Sequence, residues 1–450
     1  MSDTKRPSRR DFLKGSTAAA ASAALAGGLS VGRTAHAQGS DVIKVALIGC
    51  GGRGRGAVVQ QMNADKGVRL IAVADAFEAK AADAVRVIEQ KHPDNVDVPP
   101  DRVFSGLTAY KQALATDAEL VVLATPPGFR PPQYWAAVQA GKQIFMEKPC
   151  CVDAPGYRIL LEANKLADDK GLMVGVGLQR RHESQYKETI AKIHDGAIGQ
   201  VMFTRVYWNG QGIWNRLRTQ LAEVLGREPT EMEYQVWNWY HFCWVSGDNI
   251  CEQHIHNLDI GNWVMGGKHP VEANGMGGCT ARYLGDLKGT GQIFDHHFVE
   301  FTYDDGTKMY SQCRHMAGCF RSVSEAAHGT KGSLGDTQRG FKLLGPDGKR
   351  MWEFEDKKDA GHQQEQTDLL AALRAGKRYN EGHYGATSSM TAVLGRTANY
   401  SGKVVKWDEL AEKGKTEFPD NLAWDAPAPV QKDENGDYPI PTPGSYDPFA

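Results

Sequence analysis

The segment that most constrains the fold is an apolar run that leads directly into a glycine-rich loop. Residues Val42–Ile48 form a continuous β-branched and apolar stretch, which is the pattern of a buried parallel strand. The glycines of the G-x-G-x-x-G pattern that follows are Gly49, Gly51 and Gly54, and a helical stretch, Ala57–Asn63, comes next. A strand, this loop and a helix in that order predict a dinucleotide-binding βαβ unit.

Each glycine of this loop has a physical role in holding a pyrophosphate. Gly49 permits the tight turn, Gly51 lets the backbone approach the phosphates, and Gly54 allows the helix to pack closely on the strand. Gly52 and Arg53 complete the predicted cofactor-binding loop. The N-terminus of the following helix then faces the negative charge of the ligand.

The residue at the end of the second strand bears on the choice of nucleotide. The strand Arg69–Ala74 ends in Asp75, 21 residues after Gly54. An acidic side chain there accepts hydrogen bonds from the adenosine ribose and repels a 2′-phosphate, so NAD is the predicted cofactor. Arg53 and Arg55 are close enough in sequence to reach a phosphate, which leaves NADP open.

Strands and helices continue to alternate after Asp75, which predicts an α/β domain with a doubly wound parallel sheet (a Rossmann domain) over residues 41–177. The predicted helices are Ala79–Lys91, Tyr110–Ala115, Tyr134–Ala140 and Ala154–Lys170, and the predicted strands are Val103–Phe104, Leu120–Ala124, Gln143–Met146 and Met173–Val176. Ligands of such sheets bind beyond the carboxyl ends of the strands. Four further residues at those ends are therefore predicted to bind the cofactor, namely Thr125, Pro126, Glu147 and Lys148.

Four motifs of the chain, spread over roughly residues 41–405, resemble those of the glucose–fructose oxidoreductase and inositol 2-dehydrogenase (Gfo/Idh/MocA) family. They are the glycine loop, Ala124-Thr125-Pro126, Glu147-Lys148-Pro149, and a segment in which Glu252 and His256 precede Trp263-x-x-Gly266. The resemblance implies a C-terminal α+β domain, residues 178–417, whose large and mainly antiparallel sheet carries a sugar site. The family more often has aspartate where Glu252 stands, and histidine near the position of Arg130.

Hydride transfer needs a base for the hydroxyl proton and a positive group for the substrate oxygen, next to a nicotinamide. Residues 252, 256 and 259 have the spacing of one helical face, so Glu252 is expected to orient or charge-stabilise His256. A histidine pKa of roughly 6.5 suits proton exchange at neutral pH. The family resemblance implies that Lys148 donates to the reacting oxygen or shares the acid/base role.

Three residues are predicted to bind the substrate. Arg180 and Arg181 follow the last parallel strand, a region that the family uses near cofactor and substrate, although either could be a solvated surface charge. Asp259 completes the helical face described above. No metal site is predicted, because His254 and His256 would point about 200° apart on a helix.

Two segments depart from the family pattern. Residues 207–245 are rich in tryptophan, and these side chains could either stack on sugar rings or pack in a core. Residues 418–450 are rich in proline and are predicted to form an extended arm, which could wrap a neighbouring subunit or stay mobile. An open sheet face and this arm favour a homo-oligomer, either a dimer or a tetramer.

The N-terminus resembles an export signal. Residues 8–14 read Ser-Arg-Arg-Asp-Phe-Leu-Lys and resemble the twin-arginine signal, and a weakly apolar stretch leads to a small-x-small cleavage site at Ala35–Ala37. Residues 1–37 are therefore predicted to be a signal peptide that addresses the chain, through the twin-arginine translocation machinery, to the periplasm or cell envelope. Their removal takes the net charge from −2 to −6. This charge disfavours nucleic acid as a partner, and no apolar run reaches the roughly 20 residues of a membrane span.

Export restricts the chemistry, since the periplasm has no free NAD pool to recharge an enzyme. The leading hypothesis is an oxidoreductase with tightly bound NAD(P), which oxidises one sugar hydroxyl and reduces a second carbonyl before the cycle ends. A second hypothesis is an NAD-dependent glycosidase that oxidises, eliminates, hydrates and reduces, because the glycine loops of such relatives resemble Cys50–Gly54. A third is a non-catalytic sugar-binding protein.

Overall fold

The computed structural model describes residues 41–356 and 359–449, and the predicted signal peptide, residues 1–37, lies outside them. The first half of this part contains six strands: β1 (Ile43–Ile48), β2 (Val68–Asp75), β3 (Val103–Ser105), β4 (Leu120–Leu123), β5 (Gln143–Met146) and β6 (Val174–Val176). They form one sheet in the order β3-β2-β1-β4-β5-β6, and every neighbouring pair is parallel. The predicted doubly wound sheet is confirmed.

Five helices connect these strands: α1 (Gly52–Ala64), α2 (Glu78–Glu89), α3 (Tyr110–Leu114), α4 (Arg130–Gln139) and α5 (Ala154–Lys170). Two of them begin at least one helical turn earlier than the sequence pattern predicts. Helix α1 starts inside the glycine loop, with Gly51 as its N-cap. Helix α4 has a proline in its first turn. Proline is tolerated there because the N–H groups of the first turn have no acceptor within the helix.

The second half builds a nine-stranded sheet from β7 (Val201–Gly210), β8 (Glu272–Gly278), β9 (His296–Thr302), β10 (Lys308–His315), β11 (Ser322–Gly329), β12 (Ser333–Leu334), β13 (Lys342–Leu344), β14 (Arg350–Glu353) and β15 (Val405–Lys406). Their order is β14-β13-β12-β11-β7-β10-β9-β8-β15. Only β7 and β10 pair in parallel among these described strands, so the sheet is mainly antiparallel, as the resemblance implied.

The helices of this half are α6 (Ser184–His194), α7 (Arg218–Leu225), α8 (Glu231–Trp237), α9 (Cys243–Ser246), α10 (Asn249–Glu252), α11 (Ile255–Val264), α12 (Gly361–Ala375), α13 (Gly382–Ser401) and α14 (Trp407–Lys413). Helix α11 packs on β7 and β11, and α13 packs on β8 and β9. Alternate residues of β9 and β10 are buried by this contact, whereas the opposite face of the sheet is half-exposed.

Helix α12 lies outside the predicted limits of the first domain but packs into its core. Leu369, Leu370 and Leu373 are buried in the same apolar cluster as the residues of β1 and β2. Gln61 of α1 also donates a hydrogen bond to Gln366 of α12, with an N–O distance of 2.9 Å. The cofactor-binding half is therefore completed by chain that follows the second sheet.

The C-terminal segment, residues 418–449, contains no helix or strand in the described part of the chain. It packs on the Trp-rich segment of the same chain, where Ala426, Ala428 and Tyr438 join a buried cluster with Met232 and Trp244. In residues 41–356 and 359–449, no helix has both the length and the apolar character that crossing a membrane requires.

Candidate active site

A cavity of about 580 Å³ lies at the carboxyl ends of β1, β2, β4 and β5. The predicted site residues that line it are Gly49, Gly51, Gly52, Arg53, Asp75, Thr125, Pro126, Glu147, Lys148, Glu252 and His256. Its size is that of a typical small-molecule site. The fold thus brings the predicted cofactor-binding residues to one place, apart from Gly54, which lies beneath the loop.

The glycine loop has the shape that a dinucleotide requires. Gly49 has a φ angle of +97°, and a Cβ atom there would lie 2.3 Å from the backbone nitrogen of Thr125. A Cβ atom at Gly54 would lie 2.1 Å from the carbonyl oxygen of Gly49, so the helix can approach the strand only with glycine. Above Gly51 and Gly52 the space is open. The N-terminus of α1 is therefore accessible to a phosphate group.

Asp75 and the two loop arginines have separate partners. The Asp75 carboxylate accepts hydrogen bonds from the backbone nitrogens of Cys50 (2.8 Å) and Phe77 (3.0 Å), which fixes it at the end of β2. Arg53 donates to Glu147 (2.5 Å) and also to a carboxylate of α12, while Arg55 donates to Asp83 (2.6 Å). Both arginines are thus engaged with carboxylates of the chain itself.

The end of β4 is held by a buried arginine. Arg130 donates to the carbonyl oxygens of Leu123 (2.5 Å) and Thr125 (2.6 Å), and burial lowers its pKa to about 10. The Thr125 hydroxyl donates to Gln133 at 2.6 Å. Arg130 stands where the family often has histidine, and here it fixes the backbone that carries Thr125 and Pro126.

Lys148 and Glu252 form a pair across the two halves of the chain. The Lys148 ammonium donates to the backbone oxygen of Glu252 (2.6 Å) and to its carboxylate (3.1 Å). Their side chains are only 13% and 16% exposed. Burial raises the pKa of Glu252, and the charge of Lys148 opposes this shift. Glu252 therefore positions Lys148 at the cavity wall.

His256 borders the same cavity as this pair, and its imidazole is held in the neutral form. Its side chain borders the cavity, and its buried Nδ1 atom has no hydrogen-bond partner in the described residues. Burial holds the pKa of His256 well below its usual value, and the positive charges of Lys148 and Arg180 add to that effect. The ring stacks on Trp208 with a centroid distance of 5.9 Å. A neutral imidazole of this kind can accept a proton.

The expected continuous helix through residues 252, 256 and 259 is wrong. Helix α10 ends at Glu252, and α11 begins at Ile255 after a turn at Gln253 and His254. The backbone nitrogens of Gln253 and His254 both donate to the carbonyl oxygen of Asn249, which closes the first helix. Glu252 consequently turns to Lys148, and no hydrogen bond joins it to His256 among the described residues.

Arg180, Arg181 and Asp259 do not line the cavity within the described part of the chain. Arg181 forms a two-pronged ion pair with Asp259, at 2.8 and 2.9 Å, and the Ser388 hydroxyl donates to the same carboxylate. Arg180 pairs with the buried Glu325. All three are engaged by partners within the fold, and their contact with a substrate stays a prediction.

Several further side chains border the cavity. Sequence reasoning assigned no role to Lys80, Arg216 and His362, and it left Trp214 and Trp239 open between stacking on a sugar and packing in a core. His362 stands at the start of α12, and its Nδ1 atom lies 3.4 Å from Glu365. No local motif marks it, because α12 reaches the site through long-range packing on the first domain. Trp214, Arg216 and Trp239 belong to the Trp-rich segment, whose composition was the available signal. His254 hydrogen-bonds to Ser311 inside the fold.

The fold and the site define an oxidoreductase with an NAD-binding Rossmann domain. Residues 43–178 match the model of the GFO_IDH_MocA family, described as "Oxidoreductase family, NAD-binding Rossmann fold". An inositol 2-dehydrogenase of Rhizobium meliloti (strain 1021) is 32% identical over 296 residues, which cover 65% of this chain and 74% of that protein. The chain belongs to the Gfo/Idh/MocA oxidoreductase family.

Two other comparisons concern a curated relative and a solved structure. A glycosyl hydrolase family 109 protein of Shewanella amazonensis (strain ATCC BAA-1098 / SB2B) is 34% identical over 231 residues, 48% of each chain. The solved structure of scyllo-inositol dehydrogenase from Lactobacillus casei, with NAD(H) and scyllo-inositol, has 17% identity and a TM-score of 0.60, and the match covers 82% of this chain and 99% of that one.

The chain spans about half the length of several other curated inositol 2-dehydrogenases that it matches, among them one of Gluconacetobacter diazotrophicus at 55%. Residues 6–26 match the model of the twin-arginine translocation signal sequence. The predicted export signal is thereby confirmed, and it indicates export across a membrane.

Proposed function

We propose that this chain is an exported oxidoreductase that transfers a hydride between a retained NAD and a hydroxyl of a sugar or cyclitol. The observation that carries this proposal is the placement of Lys148, Glu252 and His256 on one wall of the cavity whose floor is the glycine loop. When bound, the nicotinamide would accept or return the hydride of the carbon that bears the hydroxyl.

The residues of the chain supply binding and proton transfer. The Lys148 ammonium, held by Glu252, donates a hydrogen bond to the substrate oxygen and stabilises the negative charge that develops there. His256, neutral because it is buried, accepts the hydroxyl proton and gives it back in the reverse direction. Gly51, Gly52 and the N-terminus of α1 hold the pyrophosphate, and Asp75 accepts hydrogen bonds from the ribose.

We further propose that the catalytic cycle is redox-neutral and takes place in the periplasm or cell envelope. The support is the twin-arginine match at residues 6–26, since this export route carries proteins that are already folded, often with their cofactor. An enzyme outside the NAD pool must end each cycle with its nucleotide in the starting state. It would therefore reduce a second carbonyl compound, or its own oxidised intermediate, before release.

A second candidate is an NAD-dependent glycosidase, which the 34% identity to a glycosyl hydrolase family 109 protein favours. In that reaction a ring hydroxyl is oxidised, the glycosidic substituent is eliminated, water is added and the carbonyl is reduced. The two candidates share the site and differ in the bond that is broken. Assays without added NAD distinguish them. Release of sugar from an aryl glycoside supports the glycosidase, and interconversion of an aldose and a ketose supports the oxidoreductase.

The half-exposed face of the nine-stranded sheet supports a homo-oligomer. Met276 on β8 is 71% exposed and Met202 on β7 is 59% exposed. On the same sheet the ring of Phe203 stacks on that of His328, with a centroid distance of 4.4 Å. An apolar face of this kind is typical of a surface that a second subunit covers. Light scattering of the purified protein tests this, and Met276→Glu should shift a dimer or tetramer towards the monomer.

The experiment for the main proposal uses the exported protein as it is isolated. Protein purified from the periplasm is denatured, and the released nucleotide is identified by mass. The same preparation is then mixed with a library of sugars, cyclitols and aryl glycosides without added NAD. Bound NAD together with conversion of a sugar supports the proposal. Protein without nucleotide, and inactive even when NAD is supplied, would leave only the non-catalytic sugar-binding hypothesis.

A further inference from the structure

The Trp-rich segment forms part of the wall of the candidate active-site cavity. Trp214, Arg216, Val236 and Trp239 border the same open space as Asp75 and the glycine loop. These side chains come from the chain between β7 and α10, well outside the Rossmann domain. The cavity therefore has a second side that the dinucleotide-binding motif alone does not provide.

This wall is fastened to the Rossmann domain just beyond Asp75. The ring of Trp237 meets that of Phe77 edge to face, with a centroid distance of 5.4 Å. The ammonium group of Lys80 lies 4.8 Å from the centre of the Trp237 ring and 5.0 Å from that of Phe77. Since Asp75 marks the ribose end of such sites, the wall stands over the adenosine half of the cavity.

The backbone of the wall is held rigidly by buried polar side chains. The carbonyl oxygen of Trp214 accepts from His241 at 2.8 Å. The backbone nitrogen of Arg216 donates to Asn238 (2.9 Å), and its carbonyl oxygen accepts from the Tyr234 hydroxyl (2.9 Å). His241, Asn238 and Tyr234 are at most 1% exposed. The wall is thus in place in the fold as it stands.

The C-terminal arm holds this wall from outside. The Thr230 hydroxyl donates to the carbonyl oxygen of Trp424 (2.7 Å), and Gln235 donates to that of Val430 (2.5 Å). Trp424 also packs on Phe77, with a centroid distance of 5.5 Å. Residues after the second domain therefore connect the wall to the end of β2 and oppose its displacement.

Two cations on this side of the cavity form no ion pair or hydrogen bond with a carboxylate among the described residues. The guanidinium of Arg216 lies 4.1 Å from the Trp214 ring and donates to the carbonyl oxygen of Trp237 (2.6 Å). Lys80 has only its ring contacts and the nearby charge of Asp75. Half-buried cations that the chain leaves unpaired point to an anion in the space between them.

We propose that the Trp-rich segment is part of the nucleotide site: Trp214 and Trp239 cover the adenosine half, and Arg216 with Lys80 faces a phosphate of the dinucleotide. The inference rests on the proposed function, because it requires a bound dinucleotide. It deepens that function by making NAD a resident group that leaves only when the wall and the arm move together. Retention of this kind is what a redox-neutral enzyme outside the NAD pool needs.

The test measures nucleotide release and does not depend on sugar turnover. Full-length exported protein is loaded with radiolabelled NAD, or in parallel with radiolabelled NADP, and release is followed after a chase with unlabelled nucleotide. The variants are Trp239→Ala, Arg216→Met and Arg216→Lys. The matched controls are Trp352→Ala, on β14, and Arg227→Met, in the same segment but outside the cavity. Circular dichroism and thermal unfolding check that each variant is folded.

We expect Trp239→Ala to release NAD about 10- to 100-fold faster than the controls, as for the loss of one base–aromatic contact. Arg216→Met should also release faster and lose the dependence of release on salt, whereas Arg216→Lys should keep that dependence. If Arg216→Met speeds the release of NAD and NADP equally, Arg216 contacts the pyrophosphate. If it speeds the release of NADP more, Arg216 contacts the 2′-phosphate. Either result supports the proposal.

Folded variants that release nucleotide at the rate of the controls would overturn the inference and leave the proposed function standing. Wild-type protein that binds neither NAD nor NADP would instead overturn the proposed function, and the inference with it.

Discussion

Replacement of Lys148 by methionine is the most informative perturbation of the site. The change keeps the length of the side chain and removes the ammonium that donates to Glu252 at 2.6 and 3.1 Å. Loss of one preorganised donor to a developing oxyanion lowers turnover by about 10²- to 10³-fold, or about 3–4 kcal/mol of transition-state stabilisation. The nucleotide should stay bound, because the glycine loop and Asp75 are unchanged.

The same variant should be less stable, and in a pH-dependent way. Glu252 would be left buried without its partner, at a cost of about 1–3 kcal/mol. Burial already raises the pKa of Glu252 above its ordinary value of 4.5, and removal of Lys148 raises that pKa further. A buried carboxyl with a raised pKa is tolerated when protonated, so stability falls as the pH rises from 4.5 through the raised pKa of Glu252.

The assay compares turnover, bound nucleotide and unfolding in denaturant at acidic and neutral pH. Lys91→Met, at an exposed lysine of the first domain, is the matched control. Turnover of Lys148→Met within the range of that control would refute the role assigned to Lys148. A loss of stability that is equal at both pH values would refute the account of Glu252.

Three other substitutions follow from the geometry. His256→Asn should retain nucleotide and lose about 10²- to 10⁴-fold in turnover, because the proton acceptor is gone. Kinetics at saturating sugar check this, and activity near wild type would exclude His256 as the base. Asp75→Ala should weaken NAD binding and reduce discrimination against NADP, as measured by paired titrations with the two nucleotides. If the discrimination is unchanged, the loop arginines and not Asp75 determine it. Gly54→Ala should abolish nucleotide binding, since its Cβ would lie 2.1 Å from the carbonyl oxygen of Gly49; tight NAD binding by this variant would contradict the packing of the loop.

The first sheet could be predicted well, because its strands are continuous apolar runs and its candidate ligand-binding residues stand at their carboxyl ends. That rule alone predicts that Asp75, Thr125 and Lys148 surround one crevice, and all three line the cavity. The rule applies because parallel strands share one direction. Side chains that reach the cavity from elsewhere in the chain carry no such local signal.

The turn after Glu252 shows what the sequence pattern could not reveal. Helical spacing placed residues 252, 256 and 259 on one face, but buried partners far along the chain fix the backbone there. The Asp248 carboxylate accepts a hydrogen bond from the Tyr400 hydroxyl (2.6 Å). The Nε2 atom of His254 lies 2.8 Å from the hydroxyl oxygen of Ser311. The sequence does not indicate that His362 and Arg216 line the cavity, because their position there depends on long-range packing.

The most direct test of the account is one titration of protein purified from the periplasm after native export. Sugars and cyclitols are added without nucleotide, while reduced nicotinamide is followed by absorbance and the bound nucleotide is quantified by mass after denaturation. The account predicts stoichiometric NAD that is reduced by one sugar and reoxidised by a second carbonyl compound, with His256→Asn retaining NAD and showing neither step. Protein that carries no nucleotide, or a His256→Asn variant that completes both steps, would contradict it.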